Sequence, residues 1–369
     1  MRIGIPKEIK DQEFRAGMTP AGVRELAARG HTVLVQAGLG SRIGMPDEQY
    51  AAAGARIVPA AAELFAQADL IVKVKEPQPA ERAWLRPGQV LFTYLHLAPD
   101  RAQTEALLAC GAVAIAYEIV TGPGGTLPLL APMSEVAGRM SVQVGAAHLE
   151  LPRGGRGVLL GGVPGVEPGH VVVLGAGTAG RHAVQMAVGA GARVTVLNRG
   201  VPKLRELDAL YGNRVRTLTA NAQAIEEAVL DADLVVGAVL EPGAPAPRLV
   251  DRATVARMKP GAVVVDIAID QGGCFETSRP TSHSAPTFVE GGVVHYCVTN
   301  MPGAVARTST LALTQATLPH VLRLADRGWR AALAADPHLR AGLALYEGRL
   351  TSRPVAEALG LPWHEAPTA

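Results

Sequence analysis

The stretch "VVVLGAGTAG", Val171 to Gly180, constrains the fold more than any other part of the chain. Four apolar residues run into Gly175, Gly177 and Gly180 at G-x-G-x-x-G spacing, and "RHAVQMAVGAG" continues with helical periodicity. The spacing has a physical reason. Gly175 permits a tight turn, Gly177 lets a pyrophosphate approach the backbone, and Gly180 lets helix and strand pack closely. Thr178 and Ala179 then lie in the first helical turn, whose free N–H groups and positive dipole end suit phosphate. The bland alternative is an ordinary Gly-rich turn. A second β-branched run, "RVTVLN", follows and favours a dinucleotide site.

That second run ends at Asn198, 23 residues past Gly175. An Asp or Glu in this place bonds the ribose hydroxyls of NAD. Asn198 can donate and accept there, but it carries no charge to repel a 2′-phosphate, and Arg199 or Lys203 would attract one. The residues fit NAD and leave NADP open. A solvated Arg199 at the strand end is the equal alternative.

The whole chain alternates strand and helix signals in two blocks. "RIGIP", "HTVLVQAG", "DLIVKVKEP", "QVLFTYLHLAP" and "AVAIAYEIV" read as strands of the first. "TPAGVRELAARG" reads as a helix capped by Thr19, with Pro20 in its first turn and Gly30 as its stop. A long helix is expected to begin at Ser134, with Ser134 as its cap. After the fingerprint come "RVRTLT", "DLVVGAVL", "GAVVVDIAID" and "GVVHYCV". From Leu311 the chain reads as helical, and this tail is expected to pack back on the first block. The fold class is α/β with mostly parallel sheets. The expected domains are 1–128 with 306–369 (substrate and catalysis) and 129–305 (dinucleotide binding).

Composition excludes several functions. With 369 residues the chain is long enough for two cores. Hydrophobic residues make up 48%, but no apolar run approaches the roughly 20 residues that span a bilayer. "MRIGIPKEIK" has no apolar secretory core. A net charge of +2 without a basic stripe, and only 4% aromatics, argue against nucleic acid. Cys110, Cys274 and Cys297 make neither a disulfide framework nor a metal-ligand spacing, so a reduced, cytoplasmic setting without a bound metal is expected.

Open parallel sheets bind ligands beyond their carboxyl edges, so polar residues at strand ends are the catalytic candidates. Lys75 ends "DLIVKVKEP", with Lys73 on the same face. His96 ends "VLFTYLHLAP", Asp270 ends "GAVVVDIAID" with Asp266 deeper on the same side, and Arg15 lies in the early loop "EFRAG". Each has a plainer reading: a satisfied core histidine, a turn aspartate, a solvated arginine. Together they make an anion-binding Lys/Arg pair, a histidine able to titrate near neutrality and a strand-end acid. That set suits oxidation of a small carboxylate.

Long segments carry a resemblance as well. "ADLIVKVKEPQPAE", "LRPGQVLFTYLHLA", "LPLLAPMSEVAGRM", "MKPGAVVVDIAIDQGGCFETSRPTSH" and "GVVHYCVTNMPGAVARTSTLALTQATLP" are similar to bacterial alanine dehydrogenases, and the similarity covers nearly the whole chain. The resemblance implies two Rossmann-like domains with an active-site cleft between them. It implies reversible, NAD-dependent oxidation of L-alanine to pyruvate and ammonia by a homohexamer. By the same resemblance Arg15 and Lys75 hold the substrate carboxylate, and His96 is the general acid/base with Asp270 as its partner. Ser134 contacts the cofactor phosphates, and Val239, Leu240, Ile267, Val298, Asn300 and Met301 line the cofactor. Asn198 and Ala220 depart from the family's usual Asp and Ser. The related alpha subunit of proton-translocating transhydrogenase is the first alternative, and a nicotinamide-binding protein without chemistry is the second.

Overall fold

The valine- and isoleucine-rich runs form the strands of two sheets in the computed structural model, which describes residues 1–239 and 245–367. Each sheet belongs to its own unit, Met1–Met133 with Gly303–Ala369 or Ser134–Pro302. The unit boundaries lie a few residues from the expected 128/129 and 305/306. They fall inside the helix Ala131–His148 and the 3-10 turn Met301–Val305, so no loop marks them in the sequence.

In the first unit, β1 (Arg2–Ile5), β2 (Thr32–Gln36), β3 (Ala55–Val58), β4 (Leu70–Val72), β5 (Val90–Thr93) and β6 (Val113–Ala116) lie in the order β3-β2-β1-β4-β5-β6, all parallel. The helix Pro20–Ala28 starts where the sequence places it. Thr19 Oγ1 accepts from the Gly22 N–H at 3.2 Å, and Gly30 stops it with φ of +79°.

The second unit repeats this plan with β7 (His170–Leu174), β8 (Arg193–Asn198), β9 (Val215–Thr219), β10 (Leu234–Gly237), β11 (Val263–Asp266), β12 (Thr287–Glu290) and β13 (Val293–Tyr296). Their order is β9-β8-β7-β10-β11-β13-β12, and only β12 is antiparallel. β7, β10, β11 and β13 are buried along their whole length, which is why they read as unbroken apolar runs.

The C-terminal segment departs from the expected helical tail. After the helix Ala306–Arg327 it adds β14 (Leu343–Tyr346) and β15 (Arg349–Leu350), and β14 pairs antiparallel with β6. Leu345, Leu350, Val355 and Ala356 join the core formed by Phe65, Ile71, Leu91 and Leu107. Each large apolar side chain so buried contributes roughly 1.5–3 kcal/mol.

In both units the chain winds one way from the first strand and then returns to that strand's other side. The reversal lies between β1 and β4 in the first unit and between β7 and β10 in the second. The carboxyl ends at such a reversal leave a crevice where ligands bind.

Candidate active site

The three glycines of the fingerprint do different work. Gly175 has φ of +106°, and a Cβ on it would sit 2.6 Å from the Ala238 carbonyl oxygen. A Cβ on Gly180 would sit 1.9 Å from the Gly175 oxygen, so the helix can reach the strand only without one. Gly177 is unlike both: among the described residues a Cβ there would meet nothing within 4 Å. Its lack of a side chain serves no packing against those residues and leaves room for a bound group. No side chain caps the helix Thr178–Gly189, and Thr178 is exposed. The uncapped N–H groups and the space over Gly177 fit a pyrophosphate.

The neighbouring strand ends frame this loop. A Cβ on Gly175 would also lie 3.2 Å from Val239, just past β10. Ile267 follows β11, and Val298, Asn300 and Met301 follow β13 on the same edge. Leu240 lies outside the described residues. The helix Ala131–His148 packs so closely here that a Cβ on Gly138 would be 2.1 Å from the Ala179 oxygen. Ser134, one turn before Gly138, is therefore near the loop. It does not cap the helix, which starts at Ala131 because Pro132 is tolerated in a first turn.

Asn198 ends β8 as expected, and its amide is engaged by the protein. Oδ1 accepts from the Ala176 N–H at 3.0 Å, and Nδ2 donates to the Gly200 oxygen at 2.8 Å. It fastens the glycine loop to the next strand while leaving the strand end uncharged. Arg199 and Lys203 are exposed beside it.

Asp270 does not end a strand. β11 stops at Asp266, and Asp270 lies exposed in the 3-10 turn Ile267–Gln271. The two acids do not share a strand face. Asp266 is fully buried, and burial pushes its carboxyl above the usual range although Ser278 and backbone N–H groups pull it down.

The first unit gathers its candidates past β1, β4 and β5. Arg15 is 2% exposed, not a solvated loop residue. Glu13 orients its guanidinium, accepting from Nε at 2.7 Å and Nη2 at 2.6 Å. Five fixed donors give Arg15 the capacity to bind a second carboxylate. β4 stops at Val72, so Lys73 and Lys75 both lie beyond it. Lys73 turns inward to Glu8 (3.0 Å) and Glu81 (2.7 Å), and all three are buried. Burial works against the Lys73 charge, but the two carboxylates hold its pKa above the ordinary lysine value. Glu8 also accepts from the Val74 and Lys75 N–H groups at 2.7 and 3.2 Å. Lys73 is thus a structural ion, and Glu8 fixes the backbone that presents Lys75.

His96 is neither in β5 nor in the core. β5 ends at Thr93, and the His96 ring is about half exposed. Its backbone is left-handed, with φ of +49°, a conformation that costs a residue with a side chain about 1–2 kcal/mol. Glu118, just past β6, holds it there. Its Oε1 accepts from the His96 N–H at 2.7 Å, both oxygens reach the Leu95 N–H, and Oε1 is 4.0 Å from Nδ1. The ring stacks parallel on Tyr94 at 5.9 Å, and the Tyr94 hydroxyl donates to the Leu129 oxygen at 2.5 Å. Glu8, Glu13, Glu118 and Gly138 were not singled out from the sequence. Glu118 obeys the same rule as His96, a polar residue directly past an apolar strand.

Known proteins resemble this chain over nearly its whole length. The family description "Alanine dehydrogenase/PNT, N-terminal domain" matches residues 4–137, and "Alanine dehydrogenase/PNT, C-terminal domain" matches residues 141–353. A protein of Halomonas elongata named alanine dehydrogenase is 58% identical, with 99% of each chain covered. One of Mycobacterium tuberculosis with the same name is 59% identical over 99% of this chain and 98% of its own. A solved structure named L-alanine dehydrogenase superposes with a TM-score of 0.94 at 51% identity, covering 98% of this chain and 99% of that one. A transhydrogenase from Sinorhizobium meliloti is more distant, with a TM-score of 0.81 at 25% identity over 96% and 99%. On the two domain matches and the full-length identity, the chain belongs to the alanine dehydrogenase/PNT family.

Proposed function

We propose that this protein is an alanine dehydrogenase, oxidising L-alanine reversibly to pyruvate and ammonia with NAD as hydride acceptor. The observation that carries the proposal is the set Arg15, Lys75 and His96 past β1, β4 and β5, on one edge of one sheet of a chain from this family. The more distant transhydrogenase likeness supports the alternative less. Purified protein should form NADH from NAD only when L-alanine is added. Absence of alanine-dependent NADH would overturn the proposal.

Each residue has a physical part. The guanidinium of Arg15 and the ammonium of Lys75 bind the substrate carboxylate and fix the direction of its Cα–H bond. The Gly175–Gly180 loop, Ser134, Asn198 and the residues past β10, β11 and β13 hold the dinucleotide. A dinucleotide held there would supply the acceptor for the hydride of Cα, and the substrate would be left as an imine. His96 takes a proton from the water that adds to the imine carbon and returns one to the departing nitrogen, with Asp270 stabilising the charge that develops. The products are pyruvate and ammonia.

NAD is the proposed cofactor, with weaker discrimination against NADP than an acid at position 198 would give. Asn198→Asp places a negative charge where a 2′-phosphate would lie and faces a carboxylate oxygen to the Gly200 carbonyl. The kcat/KM ratio of NAD to NADP should rise by about tenfold, the worth of ~1.4 kcal/mol. An unchanged ratio would refute a role for position 198 in the choice.

Assembly with further copies of this chain, a hexamer by resemblance, is part of the same proposal. Among the described residues, ten large apolar side chains are exposed, and Leu151, Leu159, Val163 and Val166, between the helix Ala131–His148 and β7, are four of them. Exposed apolar side chains this close in sequence suit a protein partner. Leu159→Asp with Val166→Asp should lower the molecular mass seen by light scattering. An unchanged mass would place the interface elsewhere. Among the described residues the three cysteines are free and no helix is long and apolar enough to cross a membrane; the cytoplasm is the proposed location.

A further inference from the structure

We infer that Asp266 is a positioning residue for the reaction, its buried carboxylate tying together the two ends of the turn that carries Asp270. The inference rests on the proposed role of Asp270. Asp266 Oδ1 accepts from the Ala268 N–H at 3.0 Å, at the start of the turn. Oδ2 accepts from the Cys274 N–H at 2.8 Å and the Ser278 hydroxyl at 2.7 Å, at its end. One side chain thus closes the loop 267–274, which leaves the sheet as the 3-10 turn Ile267–Gln271 and returns through Gly272 and Gly273.

Two glycines make room for that carboxylate. A Cβ on Gly273 would sit 2.6 Å from Oδ2. On Gly237 of neighbouring β10 it would sit 3.0 Å from Oδ1 and 2.5 Å from Cys274 Sγ. Among the described residues the partners of Asp266 are N–H, O–H and S–H donors, and none is a cation. One buried side chain that accepts from both ends of the turn makes the turn stiff. Stiffness matters because an error of about 1 Å in a reacting group costs about 10²-fold in rate. Asp270 is exposed on the turn, and Asp266 anchors that turn at the end of β11.

The test compares Asp266→Asn, Ser278→Ala, Ser278→Thr and Asp270→Asn in the full-length protein, measuring kcat, KM for L-alanine and NADH affinity by fluorescence. An Asn at 266 turns an amide N–H toward donors and loosens the turn. Asp266→Asn is expected to lower kcat by about 10–100-fold and Ser278→Ala by about threefold, with NADH affinity less affected. Ser278→Thr keeps the hydroxyl and should restore the rate. Added to Asp270→Asn, Asp266→Asn should cost little more, because both act through one group. A kcat within twofold of the parent, or equal losses in kcat and NADH affinity, overturns the inference. Should Asp266→Asn fail to fold, Ser278→Ala decides by the same criterion. An Asp270→Asn protein with parental kcat would sink the role of Asp270 itself, a different result.

Discussion

Replacing His96 by alanine lowers turnover by about 10²–10⁴-fold, the usual worth of a positioned general acid/base, and leaves NADH binding nearly unchanged. The two effects separate because the proposed part of His96 is proton transfer at the substrate, whereas the Gly175–Gly180 loop holds the dinucleotide. The fold survives the change, because the His96 ring is about half exposed and opens no core cavity when removed. Steady-state kinetics with L-alanine and a fluorescence titration with NADH measure both effects. Near-parental turnover would remove His96 from the mechanism. Glu118→Gln is the companion experiment. Glu118 bonds the His96 N–H and faces Nδ1, so the substitution removes the charge that holds a left-handed backbone in place. A loss of about tenfold is expected, the size of one charge-assisted bond of ~1.5 kcal/mol. On a His96→Ala background the same substitution should cost almost nothing.

Gly177→Ala weakens dinucleotide binding by about 10²-fold, as expected if two bonds to a charged group, each worth ~1.5 kcal/mol, are lost. The ligand-free protein keeps its Tm. Both halves follow from the same observation. The new Cβ meets no atom of the described residues within 4 Å, and φ of −72° with ψ of −170° suits any residue. The methyl group occupies only the space through which a pyrophosphate approaches the backbone. Thermal unfolding reads this directly. The parent gains about 2.7 kcal/mol at a cofactor concentration of 100 times Kd, and the variant at that concentration gains well under 1 kcal/mol. Gly180→Ala behaves in the opposite way. Its Cβ would fall 1.9 Å from the Gly175 oxygen, a backbone atom that cannot turn aside, so the apo-protein itself loses stability. A parental ligand-induced shift in Gly177→Ala would show that the pyrophosphate does not lie over this glycine.

The sequence by itself determined the α/β class, the two parallel blocks, the glycine loop and the helix start at Thr19, because these depend on neighbours within one or two turns of chain. It named Arg15, Lys75, His96 and Asp270 from the strand-edge rule but put the last three at the ends of strands. All three lie beyond the last ladder pair. "IVKV", "FTYL" and "DIAI" stay largely apolar past the last residues of the strands, and hydropathy records burial rather than regular strand pairing. β14 escaped for a related reason: its partner β6 is distant in sequence, and no local pattern announces that pairing. The tertiary structure alone decided which charges meet. Glu13 with Arg15, Glu8 and Glu81 with Lys73, Glu118 with His96, and Asp266 with the turn of Asp270 are fixed by which strand ends share an edge. The order of strands in a sheet is a long-range property, set by the winding of the chain and the burial of its faces.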